Sequence, residues 1–130
     1  MRILLAIRTE SEANLRENWH VKAKRVQTQR SITRVMVKQK FGKATTGAGY
    51  TVTLTRIAPR ALDDDNLPRS FKAIRDGVAD ALGTDDSTRS NLRWRYAQEK
   101  GPPKQYAVRI QIEIEAQSAK GDVLESTNGR

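Results

Sequence analysis

Cysteine is absent from the 130 residues, which excludes disulfides and thiolate zinc sites and fits a cytoplasmic protein. Histidine occurs once, as His20, and there is no Ser-His-Asp set, no P-loop and no glycine-rich dinucleotide fingerprint. No apolar run approaches membrane-spanning length. Residues 1–7 are too short for a signal peptide's apolar core plus its cleavage site, and charges follow at once. Acid is scarce: 15 acidic residues face 24 basic ones, a net charge of +9. The hydrophobic share of 37% permits a modest core for one domain, which a dimer interface would help to stabilise.

The deficit of acid is local. Lys22, Lys24, Arg25, Arg30, Arg34, Lys38, Lys40 and Lys43 lie in one stretch that contains no acidic residue. A helix is expected over about 12–41, closed by Gly42, with Asn14–Glu17 or Thr9–Glu12 as the capping pair. Leu15, Trp19, Ala23, Val26, Thr33 and Val37 form its apolar stripe. Solvated helices usually mix charge signs for intrahelical pairing, so this one reads as a surface for a polyanion. His20 beside Trp19 reads as a structural group or a DNA contact rather than a catalytic base.

Period-two alternation marks the strands. Residues 2–7 read as a short buried strand and Tyr50, Val52 and Leu54 as the inner face of another. Leu92, Trp94 and Tyr96 pack toward a helix, with Arg93 and Arg95 pointing away. Tyr106, Val108, Ile110, Ile112 and Ile114 give the last strand, so residues 92–114 are expected to form an antiparallel hairpin across Gly101-Pro102-Pro103. Residues 43–49 read as a flexible loop and residues 117–130 as a disordered tail behind a single domain, 1–116. The expected class is α+β, with a small mixed or antiparallel sheet of about four strands and two helices.

The acid that remains is concentrated. Residues 60–86 hold seven of the 15 acidic side chains, including the run Asp63-Asp64-Asp65. Three adjacent carboxylates repel one another, so they suit open water or a shared cation, and Mg2+ is typically held by one or two carboxylates plus waters and phosphate oxygens. In extended chain Asp63 and Asp65 project to one side and Asp64 to the other. Leu67, Phe71, Ile74, Val78 and Leu82 then recur at helical spacing, with Asp65 or Asn66 as N-cap and Gly83 past the end. Arg69 and Lys72 share a face of this helix. The plain alternative is that the aspartates merely cap the helix and complement its dipole.

Asp63-x-Asp65-Asn66-Leu67, a helix carrying Lys72 and ending Asp80-Ala81-Leu82, and the pair Asp85-Asp86 resemble the core of RusA-type Holliday-junction resolvases. These are small, homodimeric, Mg2+-dependent endonucleases often encoded by phages and prophages. The resemblance is specific over about residues 60–90 and collinear across 1–116. It implies Asp63, Asp65, Lys72 and Asp86 as catalytic residues, with Asp63, Asp65 and Asp86 on Mg2+, for which Mn2+ would substitute. It implies branched DNA as substrate, held by the basic stretch and Arg69, with no membrane and no small-molecule cofactor. The segment between Leu67 and Lys72 is about three residues longer than the family's pattern, so Arg69 competes for the lysine's role.

A continuous helix of about 16 residues is roughly 24 Å long, which separates Asp63 and Asp65 from Asp86. Three arrangements would close the site: a helix that stops near Gly77, Asp86 serving the partner subunit, or Glu99 as third carboxylate. The alternative function is a non-catalytic DNA-binding protein, such as a degenerate resolvase or phage regulator.

Overall fold

The computed structural model describes residues 1–9, 18–42, 49–83 and 92–115. In chain order the elements are β1 (Arg2–Leu5), α1 (Trp19–Phe41), β2 (Tyr50–Ala58), α2 (Asn66–Ser70), α3 (Lys72–Leu82), β3 (Leu92–Lys100) and β4 (Ala107–Ile114). The class is α+β: a mixed four-stranded sheet in the order β1-β4-β2-β3, with helices on one face. Ile3, Leu5, Val52, Leu54, Val108 and Ile110 point from the strands into one apolar cluster. Val37, Phe71, Ile74, Val78 and Leu82 meet them from the helices. The opposite sheet face, with Arg2, Arg93, Arg95 and Glu113, is exposed. Among the described residues no helix is long and apolar enough to cross a membrane.

The alternation assigned most inner and outer faces correctly, but Thr55 is buried and Ile114 is exposed. The expected buried strand 2–7 is an alternating β1 with Leu4 exposed, and the expected 92–114 hairpin does not form. β2 lies between the two strands, antiparallel to β4 and parallel to β3. The Gly101 N–H bonds the Ala58 carbonyl at 2.9 Å, and the chain then crosses the end of β2 through a turn at residues 102–105. Period two fixes which face a residue occupies and says nothing about which strand lies alongside.

α1 ends at Gly42 as expected, where φ is +81°, a conformation glycine adopts without strain. Its start is later than the expected residue 12. Asn18 is extended at φ −70°, ψ 160°, and its side chain accepts the Val21 N–H at 2.9 Å. That is an N-cap, and it places the first helical residue at Trp19. The pairs Asn14–Glu17 and Thr9–Glu12 fall wholly or partly outside the described residues.

The second helix is broken. Phe71 sits between α2 and α3 at φ −97°, ψ 6°, its N–H bonding Pro68 O at 3.2 Å in a tight i→i+3 turn. The turn drives the Phe71 ring into the core, stacked 5.9 Å from Tyr96. Beyond it α3 continues through Gly77 to Leu82, so the helix does not stop early. Gly77 is a contact point instead. A Cβ there would lie 2.6 Å from the Arg30 carbonyl oxygen and 2.7 Å from the Thr33 Cβ, so α1 and α3 approach backbone to backbone.

Candidate metal and nucleic-acid site

The segment carrying the aspartates is tied down just before it reaches them. The buried Arg56 side chain donates from Nε to Thr9 O at 3.2 Å and from Nη1 to Arg60 O at 2.6 Å. Gln98 of β3 bonds Leu62 twice, accepting its N–H and donating to its carbonyl, both at 2.9 Å. These contacts exist because β3 runs parallel to β2, which brings its C-terminal end beside the outgoing chain.

The aspartates themselves form a turn. The Asp63 carbonyl accepts the N–H of Asn66 at 2.9 Å and of Leu67 at 3.0 Å, and Asp65 is already in the right-handed helical region. The chain is therefore not extended here, and the strand-like alternation expected to align Asp63 with Asp65 does not apply. All three carboxylates are exposed. Asp65 occupies the N-cap position of α2, yet its side chain makes no capping bond. Among the described residues none of the three carboxylates has a hydrogen bond or ion pair.

Cations border this loop on two sides. On one side Arg69 and Lys72 still share a face despite the break at Phe71. They line a cleft of about 580 Å³ with Trp19, Lys22, Ala23 and Val26 of α1. Lys72 forms an i,i+4 pair with Asp76 at 3.4 Å, whereas Arg69 has no ion pair among the described residues. On the other side a cleft of about 570 Å³ adjoins Leu62 and is lined by Arg8, Arg56, Arg60, Lys104 and Tyr106. The Arg8 guanidinium lies 4.2 Å over the Tyr106 ring.

The basic helix divides into two groups. Lys22, Lys24, Lys38 and Lys40 are exposed, and Arg25 and Arg34 are half-buried. Arg30 is a structural partner of α3: it holds Asp80 in a bidentate pair at 2.6 and 2.9 Å, with Asp76 at 3.9 Å. The Asp80 bond raises the Arg30 pKa. The acids missing from α1's own sequence are thus supplied by α3. Lys43 and Asp86 lie outside the described residues.

Glu99 is held elsewhere. It follows Gln98 in a strand, so it points to the opposite face of the sheet, where Arg109 binds it through both guanidinium nitrogens. That bond holds its carboxyl below the usual carboxylate range. Among the described residues no three His, Cys, Asp or Glu side chains gather at one point. Asp63 and Asp65 present carboxylate oxygens to open solvent, and a Mg2+ shell needs only one or two such groups from the protein.

Sequence reasoning passed over Gln98, Arg8, Arg60 and Lys104. Gln98, Arg8 and Lys104 are brought to the loop by pairing between distant segments, for which no local pattern exists, whereas Arg60 lies three residues before Asp63 in the chain. Trp19 was assigned to the apolar stripe but is 71% exposed. α1 has 23 residues and α3 only 11, so the first turns of α1 overhang. No family model and no curated protein matches the chain.

Proposed function

We propose that this chain is a Mg2+-dependent endodeoxyribonuclease of the RusA type that resolves branched DNA as a homodimer. The observation that carries the reading is the acidic turn: three exposed carboxylates without a described partner, fixed at the end of β2 and bordered by cationic clefts. Asp63 and Asp65 hold the cation, and Arg69, less committed than Lys72, meets the negative charge that builds on the phosphate. The bound ion supplies Lewis-acid polarisation of the phosphate and a water of lowered pKa. Lys22, Lys24, Lys38 and Lys40 contribute sequence-independent affinity for the DNA backbone.

For the third carboxylate we take Asp86, since α3 continues through Gly77 and Glu99 is bound to Arg109. Asp86 lies outside the described residues, and we propose that it serves the partner subunit's site, as a two-fold dimer cutting two strands would allow twice. Light scattering at micromolar concentration should give a dimer, and a monomer would remove this arrangement.

The test is cleavage of a synthetic four-way junction in Mg2+ and in EDTA, beside Asp65→Asn. Nicking that needs the metal and falls at least about a hundredfold in the variant is expected. A second reading, a DNA-binding protein without catalysis, keeps the exposed lysines of α1 and treats the three exposed aspartates as a solvated turn. Binding without cutting in either Mg2+ or Mn2+ would select it.

A further inference from the structure

The inner face of α1 changes character along its length. Trp19, Lys22, Val26, Gln29, Thr33 and Val37 lie close to one line at 100° per residue. At Thr33 and Val37 that line is fully buried. At Trp19 it is open. The two helices run in the same direction, since residues 19–26 flank residues 69–73 while Arg30 meets Asp76 and Asp80. α1 is about 34 Å long and α3 about 16 Å, so α1's first turns have only the start of α3 and α2 beneath them. The gap is the 580 Å³ cleft, with Ala23, Val26 and Ala73 as an apolar floor and Lys22, Arg69 and Lys72 at the rim.

We propose that this cleft takes an unpaired nucleotide, its base stacked on Trp19 and its phosphate on Lys22, Arg69 and Lys72. The proposal rests on the nucleic-acid reading above and adds to it the part of the substrate that is recognised. An uncharged apolar partner would desolvate this cationic rim and bring no anion to it, although Lys72 keeps its pair with Asp76. A second copy of this chain, itself carrying +9, would bring further positive charge to them. A ligand that joins a flat aromatic group to an anion satisfies both halves of the cleft, whose lining among the described residues includes no acid. In duplex DNA the base faces are covered by their neighbours, so Trp19 can stack only where pairing is broken. The His20 ring, 3.6 Å from the Trp19 ring, backs the platform.

The chain has two tryptophans, and Trp94 is half-buried with the Arg75 guanidinium 4.9 Å over its ring. Trp94→Phe therefore leaves Trp19 as the sole reporter. In EDTA, where no cutting occurs, its fluorescence should be quenched by a twelve-residue oligothymidylate and not by a duplex of that length at equal salt. Trp19→Ala should weaken oligothymidylate binding about tenfold or more and change duplex affinity less than twofold. Trp19→Phe should retain most of the affinity, which separates stacking from a loss of fold. Equal quenching by both probes, unchanged binding in Trp19→Ala, or dissociation of a dimer by that substitution would each overturn the proposal. Because the assay needs no metal, its failure leaves junction cleavage untouched. Loss of cleavage in Asp65→Asn likewise leaves the stacking result untouched.

Discussion

Gln98 illustrates how a single side chain positions the acidic turn. Its amide is both donor and acceptor, and it uses both on the two backbone groups of Leu62, the residue before Asp63. A carboxylate or an apolar side chain could not do so. Gln98→Ala leaves a part-buried N–H and carbonyl to find water, at a cost of about 1–2 kcal/mol in stability. Its larger effect should fall on the site. Junction cleavage is expected to drop about tenfold to a hundredfold, with more Mg2+ needed for half-maximal rate. A purely structural glutamine would lower stability without moving the Mg2+ dependence. The aspartates were conspicuous in the sequence because three like charges in a row are costly. Gln98 was not, because its partner is 36 residues away and is found only through the parallel pairing of β2 and β3.

Between elements, α1 packs closely on α3. Gly77 lies against the Arg30 carbonyl and the Thr33 side chain, and Thr33 is locked by its own bond to Gln29 O at 2.8 Å. Gly77→Ala gains helix propensity but must push the helices apart, so a net loss of about 1–3 kcal/mol is expected in chemical denaturation. Across the sheet, Glu99 on β3 meets Arg109 on β4 over the intervening β2. Because Arg109 lowers the Glu99 pKa, the pair stabilises the fold above the ordinary carboxylate range, and the gain disappears as pH falls through the lowered value. Glu99→Gln should therefore be less stable than the parent at neutral pH and equal to it in strong acid, as denaturation at the two pH values would show. The helix periodicities were legible from residue spacing. The break at Phe71 was not, since Leu67, Phe71 and Ile74 keep helical spacing across it.

For the whole molecule, the charge of +9 predicts salt-sensitive association with DNA, but not every basic residue contributes. Lys24 and Lys38 are exposed on α1, so replacing both with Gln should flatten the log–log salt dependence of duplex binding by about two units. Arg30→Gln, which breaks the bond to Asp80, should leave that slope unchanged and lower thermal stability. An unchanged slope for the lysine pair would place the DNA path away from α1. Amino-acid order was enough to establish most inner faces of the strands, the Gly42 helix end and the segregation of charge, because those follow from neighbours a few residues apart. Folding in three dimensions alone put β2 between β3 and β4, gave Arg30 to Asp80, turned Glu99 away from the aspartates and left Trp19 overhanging a cleft. Those outcomes depend on which distant surfaces bury each other best, and a local pattern carries no record of a partner fifty residues away.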